Sequence, residues 1–208
     1  KELNTKILSS AIQFSALGRL LTQQTEYSSA LDAYKAAINL EPKVGVHHYN
    51  KAAVERFMGD LDAADKSSDE AIKLNPADYE AYLLRSELKK QTVDSNHALE
   101  LENLLEKGID SWRGKVQICH ALAKEFEDLN EHQQSFRWLK EGADCRRSNM
   151  QYEVENDEDT ITKIIETYDH KTFNGAIKGH ESSEAIFIIG LPRTGTTLVE
   201  RILGSHFD

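Results

Sequence analysis

The sequence of 208 residues predicts an all-α fold, a stack of helix pairs, that ends in the first strand, loop and helix of an α/β domain. Small and large apolar residues recur with one period through residues 1–150, and a proline closes each of the first two periods. An apolar run before a glycine-bounded loop predicts the added unit. We expect a helical array at 1–150, an acidic linker, helix and loop at 151–184, and an incomplete α/β domain at 185–208.

The first two repeats follow the pattern closely. Its residues in the first repeat are Phe14, Leu17, Gly18, Leu21, Ala30, Tyr34, Ala37 and Pro42. Those in the second are Ala52, Gly59, Ala64, Ala71 and Pro76. Small residues let two helices approach, large residues fill the space between them, and proline ends a helix because it has no backbone N–H to donate. Lys51 stands where the pattern has leucine, so we expect looser packing of that helix.

The third and fourth repeats are less regular. The third keeps the register at Tyr82, Ala98 and Leu105 and breaks it at Arg85, Ser86 and Glu102. Its turn, residues 91–96, is polar and lacks glycine. We therefore expect about four helix pairs, of which the third is degenerate. The fourth begins near Val116 and fits at Leu122, Ala123, Phe126, Leu139 and Gly142. Trp112 and Trp138 have spacings typical of core or inter-repeat packing.

This pattern resembles the tetratricopeptide repeat (TPR), a helix pair of about 34 residues. The resemblance implies a right-handed superhelix whose concave groove binds a protein or peptide. Members that grip a carboxylate tail place lysine, asparagine and arginine on the groove. The matching positions are Ser15, Arg19, Asn50, Ala53, Glu80 and Leu84. Only Asn50 fits, so we expect no chaperone-tail clamp. The alternative is that the array acts as a spacer or as the contact surface of a homo-oligomer.

The composition bounds the partners. With 35 Asp plus Glu against 25 Lys plus Arg, we expect neither nucleic acid nor an anionic membrane as a main partner. The sequence has no long apolar run and no signal-peptide pattern, so we expect a cytoplasmic protein. Cys119, Cys145 and the pair His47-His48 lack the spacing of metal ligands, so we expect no metal site. Both cysteines are expected to be partly buried apolar residues.

Residues 151–184 combine an acidic stretch, a helical pattern and a loop. The acidic residues at 151–159 predict a linker that runs into a helix N-terminus, where negative charge is favourable. Apolar residues at helical spacing follow at Ile161, Ile164, Ile165 and Tyr168. Residues 172–184 contain glycines and serines and predict a loop. We expect His170 and His180 to lie at the surface.

The end of the chain has the layout of a phosphate-binding unit. Ala185–Ile189 contains three isoleucines and predicts a buried parallel strand. Gly190–Gly195 predicts a loop, and Thr196–Leu203 predicts an amphipathic helix that ends at Gly204. Backbone N–H groups of such a loop, together with the helix dipole, favour an anion.

The loop differs from that of an NTPase at one important position. The spacing Gly190 to Gly195 matches the start of a P-loop, but Thr196 stands where an NTPase has lysine. Arg193 lies inside the loop instead, and its planar guanidinium suits one phosphate or sulfate group. This pattern argues against ATP hydrolysis and for a ligand with a single 5′-phosphate.

The segment Phe-Ile-Ile-Gly-Leu-Pro-Arg-Thr-Gly-Thr-Thr-Leu-Val-Glu-Arg-Ile-Leu at 187–203 resembles the 5′-phosphosulfate-binding loop of sulfotransferases that use 3′-phosphoadenosine 5′-phosphosulfate (PAPS). The resemblance is greatest to the bacterial branch with tetratricopeptide repeats. Thr194 replaces the usual serine and keeps the hydroxyl. The resemblance implies a PAPS site at Arg193, Thr194, Gly195, Thr196 and Thr197.

No second strand is predicted, so the strand at 185–189 has no partner for its backbone. We therefore expect the rest of the sheet, the general base and the acceptor pocket beyond Asp208. Glu200 is expected to be a surface residue rather than the base. This chain alone is expected to be inactive as an enzyme and at most a weak anion binder.

Two alternatives stay open. The first is an interaction module without enzymatic function, in which the array binds a protein and the tail caps the last repeat. The second is a nucleotide-phosphate binder or kinase, which Thr196 in the place of lysine disfavours.

Overall fold

The computed structural model describes residues 9–168 and 186–205, and in this part the chain forms helices and no β-strand. The helices of the array are α1 (Ala11–Gln23), α2 (Tyr27–Leu40), α3 (Gly45–Phe57), α4 (Leu61–Leu74), α5 (Tyr79–Leu88), α6 (Ala98–Lys107), α7 (Trp112–Asp128) and α8 (His132–Ser148). Two more follow, α9 (Val154–Thr167) and α10 (Thr196–Gly204). The chain divides into two compact units, the repeat array (Lys1–Gln151) and the C-terminal unit (Tyr152–Asp208).

The first two helix pairs form as the sequence predicts. In the first, α1 packs along α2, and a Cβ added to Gly18 would lie 2.8 Å from the ring of Tyr34. In the second, α3 packs along α4. Helices α2 and α4 each end two residues before a proline, Pro42 and Pro76 respectively. Lys51 does not pack as an apolar residue would, because its ammonium contacts Glu55 at 2.7 Å and Ser67 Oγ at 2.8 Å.

Three helix pairs share one turn. The residue two positions before the second helix has positive φ: Thr25 (60°) before α2, Gly59 (82°) before α4 and Asn130 (61°) before α8. Glycine and asparagine adopt this left-handed conformation readily, whereas a β-branched residue is strained in it. The first turn therefore contains a local strain that the other two avoid.

Replacing Thr25 with glycine is expected to stabilise the array by about 1 kcal/mol. The substitution removes a backbone strain of about 1–3 kcal/mol and adds roughly 0.5–1 kcal/mol of unfolded-chain entropy. Urea denaturation followed by circular dichroism measures the difference. Asn130→Gly is the control and should change stability little. A Thr25→Gly protein less stable than the parent would contradict the strain at this turn.

The third pair departs from this arrangement. Helix α5 makes its most extensive contacts with α7 rather than with α6, and α6 packs on α7. Residues 89–97 connect α5 to α6, with an isolated bridge between Thr92 and Ser95. None of these connecting residues has positive φ, so the shared turn is absent here. In this part of the array α7 therefore occupies the place beside α5 that the second helix of the pair holds in the first two repeats.

The main core lies around α7. It combines fully or nearly fully buried residues from α4 to α7: Ala71, Ile72, Ala81, Tyr82, Ala98, Leu101, Ile118, Ala121 and Leu122. Trp138 packs against this cluster, in agreement with the packing role expected for it. Trp112 is half-buried, with the guanidinium of Arg113 4.3 Å from the centre of its ring. Two smaller clusters stabilise the first two pairs.

Buried polar groups hold α5, α6 and α7 together. Glu125 is fully buried and accepts hydrogen bonds from Ser86 Oγ at 2.7 Å, His97 N at 2.5 Å and His97 Nδ1 at 3.0 Å. Burial raises the pKa of Glu125, but the hydrogen bonds from His97 and Ser86 outweigh burial and hold the pKa below its usual value. Arg85, also buried, pairs with Asp69 and Glu100. The residues that break the sequence pattern at 85 and 86 therefore serve this network.

The C-terminal unit contains α9 and α10. Helix α9 begins at Val154, so most of the acidic stretch belongs to its first turns rather than to a linker. Its apolar residues Ile161, Ile164 and Ile165 are exposed, as is the apolar side of α10. The predicted loop 172–184 and His170 and His180 lie outside the described residues. Residues 186–189 form no strand, because no described segment pairs with them.

Candidate functional site

The loop between Gly190 and α10 is a compact turn. Thr194 donates two hydrogen bonds to the carbonyl of Leu191, from its backbone N at 3.2 Å and from Oγ1 at 2.7 Å. A Cβ on Gly190 would lie 2.6 Å from Thr194 Oγ1 and 2.9 Å from Thr196 Cγ2. The two ends of the loop are therefore so close that the first position requires glycine.

The second glycine has a conformational function. Gly195 is the N-cap of α10 and has a φ of 91°, and Arg193 has a φ of 70°. Glycine adopts this conformation without strain, whereas Arg193 is strained in it. Because glycine has no side chain, no cap bonds to the N–H groups in the first turn of α10. These N–H groups are available to a ligand that accepts hydrogen bonds.

The structure brings the five predicted binding residues together in this one turn. Thr196 is half-buried, and Arg193, Thr194, Gly195 and Thr197 are exposed. Arg193 forms no ion pair with any other described residue. The hydroxyl of Thr194 donates within the turn and stabilises it, and its contact with a ligand stays a prediction. The donors of this turn without a partner among the described residues are thus the guanidinium, two threonine hydroxyls and the helix N–H groups, a set that fits an anion.

Glu200 follows one turn into α10 and is exposed. It forms no ion pair with the part of the chain that the structure describes. This placement agrees with its expected role as a surface residue.

A second candidate site is a cavity of about 640 Å³ in the repeat array. It lies where the N-terminal ends of α5 and α7 meet the C-terminal end of α8, and its lining includes Asp78, Tyr79, Trp112, Arg113 and Arg146. Sequence periodicity could not identify this site, because its charged residues come from separate helix ends that only the fold brings together. Trp112, for which packing was expected, is half-buried and also contributes to the lining of this cavity.

The groove positions tested for a carboxylate clamp have mixed surroundings. Leu84 is buried in the core and offers no surface to a ligand, whereas Glu80 is exposed. Burial, then the charges of Glu80 and Asp78, raise the pKa of Tyr49 to about 12. The negative charge near Tyr49 disfavours a carboxylate at this end of the groove.

The two cysteines differ in burial. Cys119 is buried, and burial raises the pKa of its thiol to about 11, so it stays a neutral, unreactive thiol. Cys145 is half-buried. Among the described residues, no group of three His, Cys, Asp or Glu side chains could hold a metal ion. None of the described helices has the length and apolar character needed to cross a membrane.

Comparison with known protein families finds two matches. Residues 185–208 match the Sulfotransferase family, and residues 48–78 match the tetratricopeptide repeat. Each match covers a short part of the chain. The first includes the loop described above, and the second covers most of α3, all of α4 and the turn before α5.

The curated relatives are distant. An uncharacterised protein of Aquifex aeolicus (strain VF5) is 25% identical over 150 residues, which is 72% of this chain and 19% of that protein. The small glutamine-rich tetratricopeptide repeat-containing protein 2 of Mycosarcoma maydis is 28% identical over 123 residues, 59% of this chain and 34% of that protein. The chain therefore spans about a third or less of the length of these relatives.

The solved structures that this chain resembles are all at low sequence identity. The Sgt2 TPR domain of Aspergillus fumigatus is 16% identical, with a TM-score of 0.39, and covers 85% of this chain and 90% of its own. A crystal structure of MamA is 13% identical, with a TM-score of 0.49, over 68% of this chain and 81% of its own. The first TPR of Spaghetti (RPAP3) bound to an HSP90 peptide is 20% identical, with a TM-score of 0.40, over 63% of this chain and 94% of its own. The described part of the chain is all-helical, with a segment at 48–78 that matches the tetratricopeptide repeat and a short segment at 185–208 that matches the Sulfotransferase family.

Proposed function

We propose that this chain is the repeat region and phosphosulfate-binding loop of a PAPS-dependent sulfotransferase. The observation that carries the proposal is the donor-rich turn at 190–197, in a segment that matches the Sulfotransferase family. Two residues with positive φ, Arg193 and Gly195, direct this turn into an uncapped helix N-terminus. Such a turn favours a compact anion over a neutral ligand.

Each residue of the turn has a distinct role in this proposal. Arg193 supplies the positive charge, and the N–H groups and hydroxyls of Thr196 and Thr197 donate hydrogen bonds to the 5′-phosphosulfate. Thr194 positions the turn through its bonds to Leu191. PAPS, when bound, supplies the sulfuryl group that the whole protein would transfer to an acceptor hydroxyl or amine. The general base and the acceptor pocket would belong to further βα units of that protein.

The repeat array would bind a protein or peptide partner of the same enzyme. This part of the proposal rests on the repeat match at 48–78 and on the stacked helix pairs. RPAP3 and the TPR2B domain of yeast Sti1 are described with bound peptides of HSP90 and Hsp70. The negative charge near Tyr49 favours a peptide that places no carboxylate at this end of the groove. An interaction module without enzymatic function is the second candidate, since the array forms the well-packed core of the chain.

Replacing Arg193 with alanine is expected to weaken binding of adenosine 3′,5′-bisphosphate at least tenfold. A hydrogen bond from a charged donor contributes about 1.5–3 kcal/mol, and a tenfold change corresponds to about 1.4 kcal/mol. The affinity is measured by NMR titration of the whole chain, following the amide signals of Gly190 and Gly195.

Arg201→Ala is the matched control, because Arg201 is an exposed arginine on α10, beyond the loop. It should leave the affinity within about twofold. Binding that both arginine variants reduce equally would point to general electrostatic attraction. Binding of ATP with equal affinity and an equal dependence on Arg193 would favour the kinase alternative. No change in the loop signals with either nucleotide would leave the interaction module as the better candidate.

A further inference from the structure

Part of the lining of the cavity of about 640 Å³ is an apolar surface, here called the aromatic floor, in which one ring lies against a glycine. Tyr79 and Trp112, both half-buried, and the buried Val116 form this floor. A Cβ on Gly114 would lie 2.3 Å from Tyr79 Cδ2, so the ring of Tyr79 lies directly against the backbone of α7. A larger residue at 114 would displace the ring. The floor is therefore a defined apolar surface, of the kind that lines small-ligand sites.

Four charged side chains line the cavity and leave their charges unpaired. Asp78 and Glu80 come from the start of α5, Arg113 from the start of α7 and Arg146 from the end of α8. None of the four forms an ion pair within 4.0 Å of another residue in the described ranges. Some surface charges of the array do pair across helices, as Lys115 does with Glu141 at 2.7 Å. The lining of this cavity instead offers charges of both signs to a ligand.

The two signs come from different helix ends, the acidic pair from the start of α5 and the arginines from α7 and α8, and no carboxylate of this set lies within 4.0 Å of a guanidinium of the set. At the acidic part, burial and then the charge of Glu80 raise the pKa of Asp78. The charges of both carboxylates also help to raise the pKa of Tyr49. At the basic part, Arg113 stacks on Trp112 at the positive end of the dipole of α7, a helix of 17 residues. A ligand with a cation and an anion joined by an apolar stretch would complement this arrangement.

We propose that this cavity binds a short extended peptide segment that carries one basic and one acidic side chain. The basic side chain pairs with Asp78 and Glu80, the acidic one with Arg113 and Arg146, and the backbone between them packs on Tyr79 and Trp112. A cavity of this volume accommodates roughly three or four residues. This inference rests on the interaction role proposed for the array and is independent of the loop at 190–197.

The probes are capped peptides with one arginine and one glutamate separated by zero to three alanines. They are titrated into the whole chain and followed by NMR, with the Gly114 amide as the reporter of the cavity. At least one of these peptides should bind tenfold more tightly than its two analogues in which glutamine replaces either charged residue. The affinity should also fall as salt concentration rises, since the pairs lie near the surface.

Variants of the protein identify which residue of the cavity binds each charged side chain of the peptide. Glu80→Gln should remove most of the gain in affinity that arginine gives over glutamine in the peptide. Arg146→Gln should remove the corresponding gain that glutamate gives. Both residues are exposed, so the fold should tolerate either change. Glu127→Gln, an exposed residue of α7 outside the cavity lining, is the control and should leave the affinity unchanged.

Three results would overturn the inference, and the first two separate it from the broader proposal. Peptides selected from a random display library that bind the array without shifting Gly114, and without dependence on Glu80 or Arg146, would keep the interaction role and reject this cavity. No selected peptide and no response to the capped peptides would reject both. Equal binding of free arginine and of the two-charge peptides would also reject the proposed occupant.

Discussion

The alanine variant of Glu125 is expected to unfold with a free energy about 3–5 kcal/mol below that of the parent array. The change leaves the buried hydroxyl of Ser86 and two donors of His97 without their acceptor, and it opens a cavity beside α7. Few single substitutions in an array of this size have so large an effect. Urea denaturation followed by circular dichroism measures it.

The control is Glu127→Ala on the same helix. Glu127 is exposed and should change stability by no more than about 0.5 kcal/mol. Equal losses in the two variants would show that the buried hydrogen bonds of Glu125 do not explain the effect, since alanine favours a helix at both positions.

The effect of Glu125 should also depend on pH. Its pKa is lower in the folded chain than the unfolded value of about 4.3, so its contribution is present above that value and is lost as pH falls through the folded pKa. The difference in stability between the parent and Glu125→Gln should therefore narrow from pH 6 towards pH 3. A difference that stays constant, or widens, over this range would contradict the assignment.

The second large effect is expected at Leu101, whose replacement by alanine should cost about 2–5 kcal/mol. Leu101 is fully buried in the main core, although its helix α6 does not pair with α5 in the manner of the other repeats. The loss includes the removed apolar contacts and the cavity that remains.

Leu99→Ala provides a matched comparison two residues away on the same helix. Leu99 is 72% exposed, so the same exchange should change stability by about 0.5 kcal/mol or less. Since helix propensity and composition change identically, the difference between the variants isolates burial. Similar values for both would mean that α6 is not anchored to the core.

Periodicity predicted those parts of the fold that repeat. Gly18 against Tyr34 and the helix ends before Pro42 and Pro76 follow from local rules that act on every pair. The exchange of partners at α5 does not, because it depends on the competition between α6 and α7 for one surface. The signal was nevertheless present, since Arg85 and Ser86 interrupt the apolar pattern where the buried network forms.

The two candidate sites also differ in how far the sequence could predict them. The loop at 190–197 is local in sequence, so its glycines and donors could be identified from spacing alone. The hydrogen bonds that commit Thr194 to the turn depend on its conformation and could not be identified in this way. The cavity in the array could not be predicted, because Asp78, Arg113 and Arg146 belong to three helices distant in sequence.

The exchange of partners at α5 also limits how the array can be recombined. A repeat array tolerates duplication or deletion of units at the junctions between helix pairs, because each pair contacts only its neighbours. A junction between residues 107 and 112 would separate α5 from α7 and divide the buried network. Residues 79–148 should therefore be transferred between proteins, or deleted, only as one unit. A chimera joined after Pro42 should remain foldable, because that junction leaves both the main core and the buried network whole.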